Sequence, residues 1–389
     1  MRTIGAVTVG RSDYSICLPV LREIQQNPDL HLHLIVAGTH LAPEFGMTVR
    51  LIEEDGFEIG ERIEMSLSSD TPEAISKSMG LGMIGFAQAF ARCRPDILMI
   101  VGDRFEAHAA VAAALAFKIA VAHIHGGEIT LGAIDDALRH SITKLSHLHF
   151  VATEAYGLRV LQLGEEPWRI TVCGAPSLDN LLTVSLLTTE QIESLYGVRM
   201  EQAPLLVTFH PVTLEYEQTE WQVGELLAAL EATGLPTVFT SPNADTCGKT
   251  VARMISDYVR VRSTASLVQN LGTQGYLSMM ALAAAMVGNS SSGIVEAASL
   301  RVPVVNVGTR QSGRIRPANV IDTGYGREEI GEAIRQALRP EFRARLANLV
   351  NPYGCGHAAR KIADRLRDVS LDSKLIMKRF YDVPLAKVN

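Results

Sequence analysis

Two α/β domains, each a doubly wound parallel sheet and the pair facing one another across a cleft, are the fold class this sequence predicts. Three observations carry the prediction. Short β-branched and aliphatic runs alternate with amphipathic stretches along the chain. The alternation stops after GAPSLDNLL (174–182), gives way to a polar, less periodic stretch, and restarts near residue 203. Finally, 389 residues at 47% hydrophobic and 20% charged content are too many for one simple core and suit two.

In the first half, strands are expected at TIGAVTVG (3–10), LHLIVAG (32–38), DILMIVG (96–102), AVAHIH (120–125), LHFVAT (148–153) and ITVCGAP (170–176). Helical stretches separate them. One is FEAHAAVAAALAF (105–117), whose alanines favour a helix packed closely on a sheet. In the second half, strands are expected at LLVTFHP (205–211), PTVFTSP (236–242), VRVRSTAS (259–266), AMVGNSS (285–291) and VPVVNVG (302–308). The expected organisation is a first domain over 1–180, a second over 181–365, and a C-terminal segment, 366–389, packing back on the first. Open α/β sheets bind ligands at the carboxyl ends of their strands, so the residues that follow each strand are the ones to read for chemistry.

Composition narrows the function. A net charge of -6 excludes a general polyanion binder, so no nucleic-acid partner is expected. The five cysteines lack CxxC or Cys/His spacing, which points to neither a zinc site nor a disulfide framework and fits a reducing cytoplasm. The opening MRTIGAVTVG reads as a first strand rather than a signal peptide, and no run reaches the ~18–20 apolar residues that span a bilayer.

The most informative stretch for ligand class is AMVGNSSSGIVEAASLRVPVVNVGTR (285–310). A strand ends at Gly288, and Ser290 and Ser291 then fall at an expected helix start, where free N–H groups attract phosphate. Glu296 follows one turn on, where a carboxylate can accept two ribose hydroxyls, and Arg310 ends the next strand within reach of a diphosphate. His210, in FHPVT, closes another strand and can donate to a phosphate or steer a proton. Singly, each of these also reads as a cap or a surface residue; together they favour a nucleotide diphosphate. In the first half, GRSDYS (10–15) lacks the G-x-G-x-x-G fingerprint, which argues against a dinucleotide site and leaves Arg11 and Ser15 to approach a pyrophosphate from the opposite wall. His40 ends the second strand. Asp103 and Arg104 in VGDRFE, His125 and Glu128 in HIHGGE, and Asp135 and Asp136 at a helix start converge from strand ends and helix starts, as acid/base chemistry requires. Helix capping, with Arg139 as the i,i+4 partner of Asp135, explains any one of these acids but not the convergence of all.

GRSDYS, GTH, GDRFEA, HIHGGE, GAIDDALRHSITKLSHLHF, HPVT, GNSSSGIVEA and VNVGTRQSGR, in order from about residue 3 to 317, resemble the hydrolysing UDP-N-acetylglucosamine 2-epimerases of sialic-acid and legionaminic-acid biosynthesis. The resemblance implies a GT-B fold with the nucleotide held mainly by the second domain. It also implies conversion of UDP-GlcNAc, or a close relative, to a free ManNAc-type sugar plus UDP, with no cofactor and no essential metal. By position, Arg11, Ser15, His40, Arg104, Asn243, Asn270, Ser290, Ser291, Glu296 and Arg310 are the implied substrate and nucleotide contacts, and Asp103, Asp135, Asp136 and His210 the implied catalytic set; Glu128 joins the first group and His125 the second from their place in HIHGGE rather than from the resemblance. One departure is informative. Sialic-acid members read HIEGGE, with a glutamate where this chain has His125, whereas HIHGGE resembles the branch acting on UDP- or GDP-linked 2,4-diacetamido-2,4,6-trideoxy sugars. A GT-B glycosyltransferase, a non-hydrolysing 2-epimerase and a silent sugar-nucleotide sensor are the alternatives. A cytoplasmic homo-oligomer, dimer or tetramer, is the expected assembly.

Overall fold

Thirteen strands collect into two separate parallel sheets in the computed structural model, which describes residues 1–243 and 245–384. The first sheet takes β1 (Arg2–Thr8), β2 (Leu30–Ala37), β3 (Ile59–Ile63), β4 (Ile97–Val101), β5 (Ala120–Ile124), β6 (Leu148–Val151) and β7 (Ile170–Val172), in the order β3-β2-β1-β4-β5-β6-β7. The second takes β8 (Leu205–Thr208), β9 (Thr237–Thr240), β10 (Ala265–Val268), β11 (Ala285–Gly288), β12 (Val304–Val307) and β13 (Val320–Thr323), in the order β10-β9-β8-β11-β12-β13. In both, the strand order reverses beside the first strand, which opens a crevice between β1 and β4 and another between β8 and β11. The central strands are apolar throughout because helices cover both faces: every residue of β4 and β5 is buried.

Three assignments are corrected. The strand expected at 259–266 is the end of a helix, Gly248–Arg260, followed by a turn; only Ala265–Val268 pairs. Val251, Ile255 and Tyr258 recur with helical spacing and are buried, whereas Val261 is 70% exposed, so the alternation there did not mark a sheet face. Two strands without an expectation, β3 and β13, lie at sheet edges and are half-exposed. Their polar residues, such as Glu61, Arg62 and Asp322, blur the pattern while protecting the edge.

The return to the first domain starts earlier than residue 366. Helix Ala358–Asp368 already packs Ala359, Ile362 and Leu366 against Leu18 and Leu21 of helix Arg11–Gln26. Asp179, on the outgoing crossing, accepts from Ala358 N at 3.1 Å and Ala359 N at 2.8 Å, so the outgoing crossing caps the helix of the returning one. Further on, Arg169 donates to the carbonyls of Lys374 and Leu375, and Lys378 reaches the buried Glu165 carboxylate at 2.7 Å. Residues 385–389 of the expected tail lie outside the described residues. Among the described residues, no helix is long and apolar enough to cross a membrane.

Candidate active site

A cavity opens where the carboxyl ends of the two sheets face each other. The first turn of the helix after β1 supplies Asp13, the loops after β4 and β5 supply Asp103, Arg104, His125 and Glu128, and the helix Asp135–Leu145 adds Asp135 and Arg139. From the other side come His210 after β8, Asn243 after β9, Ser290, Ser291 and Glu296 after β11, and Arg310 and Arg314 after β12.

The second-domain wall is built to present donors. Gly288 ends β11 at φ 134°, with an added Cβ falling 2.0 Å from the Thr208 carbonyl oxygen, so only glycine lets the chain turn against β8. Asn289 then locks two loops: its Nδ2 donates to His210 O at 2.8 Å and its Oδ1 accepts from His210 N at 2.7 Å. The Asn289 carbonyl receives Gln311 at 2.8 Å and Arg310 at 3.3 Å. Asn243 N donates to His210 Nδ1 at 3.1 Å, which leaves the proton on Nε2. Burial, reinforced by Arg310, Arg11 and Arg104, holds the His210 pKa well below its ordinary value, so the ring is a neutral donor. The serines lead into a 3-10 turn, Ser291–Gly293, and a four-residue helix, Glu296–Ser299, rather than the longer helix the sequence implied. Their contribution is hydroxyls and N–H groups, not an extended dipole.

The first-domain wall is acidic, with each acid in a different setting. Asp103 is paired with the buried Arg139 guanidinium. Burial, followed by the neighbouring Asp245, pushes the Asp135 carboxyl up to about 6 against the pull of Arg310 and Arg104. Asp13 is 7% exposed, its Oδ2 is without a donor, and burial pushes it up to about 7. His125 sits at φ 67°, a strained conformation for histidine, and its Nδ1 lies 2.6 Å from Glu128 Oε1. Glu128 Oε2 in turn lies 2.6 Å from Arg314. Guanidinium nitrogens of Arg139, Nε and Nη1, and of Arg310, Nε, are buried without an acceptor, an arrangement that suits an anionic ligand.

Several expected contacts are corrected. His40 is 0% exposed, its ring nitrogens bonded to Thr8 Oγ1 at 2.9 Å and Thr48 Oγ1 at 2.7 Å, so it braces the loop after β2 and has no face for a ligand. Asp136 lies outside the cavity lining and accepts from Thr130 N at 2.6 Å, which shapes the loop rather than meeting substrate. Glu128 and Arg104 do line the cavity, Glu128 held by His125 and Arg314, and Arg104 held by Glu106 at 3.2 Å and Asp245 at 3.1 Å. Arg11, Ser15 and Asn270 sit on the domain seam, not in the lining: Arg11 donates to the Gln269 and Ser241 carbonyls, Ser15 bonds Thr273 at 2.7 Å, and Asn270 caps Gly272 N at 3.0 Å. Sequence reading missed Asp13, although it stands in GRSDYS after a strand, and missed Arg139 and Arg314 as cavity residues, since their partners are set by packing.

The sequence profile of the family described as "UDP-N-acetylglucosamine 2-epimerase" matches residues 22–367. A Campylobacter jejuni protein named GDP/UDP-N,N'-diacetylbacillosamine 2-epimerase (hydrolyzing) is 38% identical over 385 residues, covering 98% of this chain and 99% of its own. A Legionella pneumophila protein named UDP-N,N'-diacetylbacillosamine 2-epimerase (hydrolyzing) is 35% identical, covering 97% and 99%. Among solved structures, a Neisseria meningitidis UDP-GlcNAc 2-epimerase bound to UDP-GlcNAc superposes with a TM-score of 0.80 at 19% identity, covering 94% of this chain and 99% of that one. The last likeness bears on the fold, a GT-B arrangement of two parallel-sheet domains.

Proposed function

Because the chain belongs to the UDP-N-acetylglucosamine 2-epimerase family, we propose that it is a hydrolysing 2-epimerase of a nucleotide-linked 2,4-diacetamido-2,4,6-trideoxy sugar, a legionaminic-acid precursor. The products are the free 2-epimeric sugar and a nucleoside diphosphate. One observation carries the reading: a single cavity sets the donors His210, Ser290, Ser291 and Arg310 against the proton-handling Asp103, His125 and Asp135. The diacetamido substrate is supported by HIHGGE and by the names of the Campylobacter and Legionella relatives; UDP-GlcNAc, going to ManNAc, is the second reading, supported by the family description. A cytoplasmic, symmetric homo-oligomer belongs to the same proposal, and its five free cysteines suit that compartment.

The reaction has two balanced halves. The proton on C2 passes to a base, the C2–H electron pair becomes the C1=C2 double bond, and the C1–O bond breaks with its pair leaving on the diphosphate. His125 Nε2 suits the base role because Nδ1 is committed to Glu128. Arg310 and neutral His210 take up the charge growing on the diphosphate. Water then adds at C1 of the glycal and loses a proton, while C2 is reprotonated on its other face. Asp135, with its raised pKa, is suited to return that proton, and Asp103, clamped by Arg139, to steer the water.

The test is incubation of the purified chain with UDP-GlcNAc and with UDP- and GDP-linked 2,4-diacetamido sugars, following nucleotide release and the C2 configuration by NMR. Free 2-epimer is expected with diacetamido donors. A product that keeps its nucleotide, or release without inversion, sinks the reading. Asp103→Asn and Asp135→Asn are each expected to lose about 10²- to 10⁴-fold in kcat. Near-full turnover by both removes them from the mechanism.

A further inference from the structure

The loop after β12 does two jobs at once. Arg310 at its start faces the cavity beside His210 and Ser290, while Arg314, four residues on, reaches across to the first domain. There its guanidinium lies 2.6 Å from Glu128 Oε2, and the opposite oxygen of that carboxylate lies 2.6 Å from His125 Nδ1. Glu128 is 1% exposed and the Arg314 side chain 9%, so little solvent screens the chain. The loop itself is pinned to the first domain: Leu131 N donates to Ser312 O at 3.2 Å, and Ile315 N donates to the Tyr156 hydroxyl at 3.1 Å.

We infer that Arg314 is a positioning residue that couples the nucleotide site to the base: one second-domain loop supplies both the diphosphate contact and the cation that fixes Glu128, and Glu128 fixes the tautomer and orientation of His125. The inference rests on the reading of His125 as the proton acceptor. The consequence is that Nε2 is presented to C2 only when the second domain is seated, so the reactive centre and the leaving-group site are completed by the same motion. With Nδ1–H donating to Glu128, Nε2 keeps its lone pair for the cavity. The other charged or titratable groups facing the pair are His123, Glu296, Tyr156 and Tyr353. Burial pushes the Glu128 carboxyl up, but Arg314 and then His125 outweigh it and hold it below its ordinary value, so the middle group of the chain stays ionised.

Two measurements on the full chain test this. The first is a titration of the His125 imidazole by NMR in the free protein, assigned with His125→Gln, and it needs no turnover. In Arg314→Met the Glu128 charge falls on His125 alone, so the His125 resonances should change at higher pH than in the wild type. Arg314→Lys should restore part of the difference, and Glu128→Gln should move the titration the other way. The second is kinetic: Arg314→Met should lose roughly 10- to 100-fold in kcat, with KM changed less than about threefold and the acid limb of the kcat profile displaced to higher pH. An unchanged His125 titration in Arg314→Met and Glu128→Gln overturns the inference. So does a rise in KM at constant kcat, which would make Arg314 a substrate contact. Should Arg314→Met not fold, Arg314→Lys and Glu128→Gln carry the same comparison. A wild-type chain that consumes none of the donors defeats the functional reading, and the titration still decides whether Arg314 controls His125.

Discussion

Asp13 sits in the first turn of helix Arg11–Gln26, a place that ordinarily favours a carboxylate, yet the fold works against its charge. Burial is the largest cause; Arg104 offsets part of it, and Glu106, Asp135 and Asp245 add to it, so the carboxyl is pushed up to about 7. A native pKa above that of the unfolded chain means the native state binds the proton more tightly. The penalty is therefore absent below about pH 4, grows as pH rises towards 7, and is of order 4 kcal/mol when complete. Asp13→Asn is expected to be more stable than the wild type at pH 8 and to lose that advantage at pH 4. Thermal denaturation at both values checks it; an equal gap in Tm at each pH means the ionised carboxylate is not the source. Such a cost is tolerated where a cavity holds a proton near neutrality, and acids perturbed by burial and neighbouring charge cluster at functional sites.

At the scale of elements, the sequence made the strand ends legible because parallel strands deliver their chemistry at one edge. HIHGGE, GDRFE, FHP and GNSSS could be placed on that edge from hydrophobic runs alone, and the residues lining the cavity at β4, β5, β8 and β11 follow those runs. What stayed hidden depends on neighbours far away in the chain. Asp136 and His40 looked like chemistry because they are titratable and adjacent to motifs, but their hydrogen bonds are spent on their own loops. Arg139 read as a helix partner of Asp135 and Arg314 carried no reading of its own, because only the meeting of distant segments gives them Asp103 and Glu128. Loop 126–134 shows the same dependence. It is wedged between the loops after β8 and β12, with Leu214 N donating to Gly132 O at 3.2 Å and a Cβ on Gly132 falling 2.9 Å from Arg310 Cα. Gly132→Ala is therefore expected to keep the fold but push Arg310 out of register, raising KM for the nucleotide sugar about tenfold with a smaller change in kcat. Soluble, folded protein with unchanged KM shows that the loops absorb the methyl group without moving the arginine.

For the molecule as a whole, the question is what keeps two domains with separate cores closed over one cavity. The paired crossings at Asp179 and Ala358 form the joint, and polar contacts span the cleft away from it. One buried contact among these is Arg104 to Asp245 at 3.1 Å, with both side chains 7% exposed. Arg104 keeps Glu106 as a partner in its own domain, so removing the Asp245 charge leaves no lone buried cation. Asp245→Asn should then weaken closure without unfolding either core. If the open form becomes dominant, apparent affinity for UDP falls with the closed fraction, by about tenfold for a 1.4 kcal/mol shift. Asp245 is also the largest cause after burial of the raised Asp135 pKa, so the limb of the pH–rate profile that Asp135 governs should move to lower pH in the same variant. Small-angle scattering of the free chain, which should show a larger radius of gyration that contracts on adding UDP, separates the two effects. A variant with wild-type dimensions, wild-type UDP affinity and an unshifted profile would mean that Arg104 and Asp245 merely meet in a cleft held shut by something else.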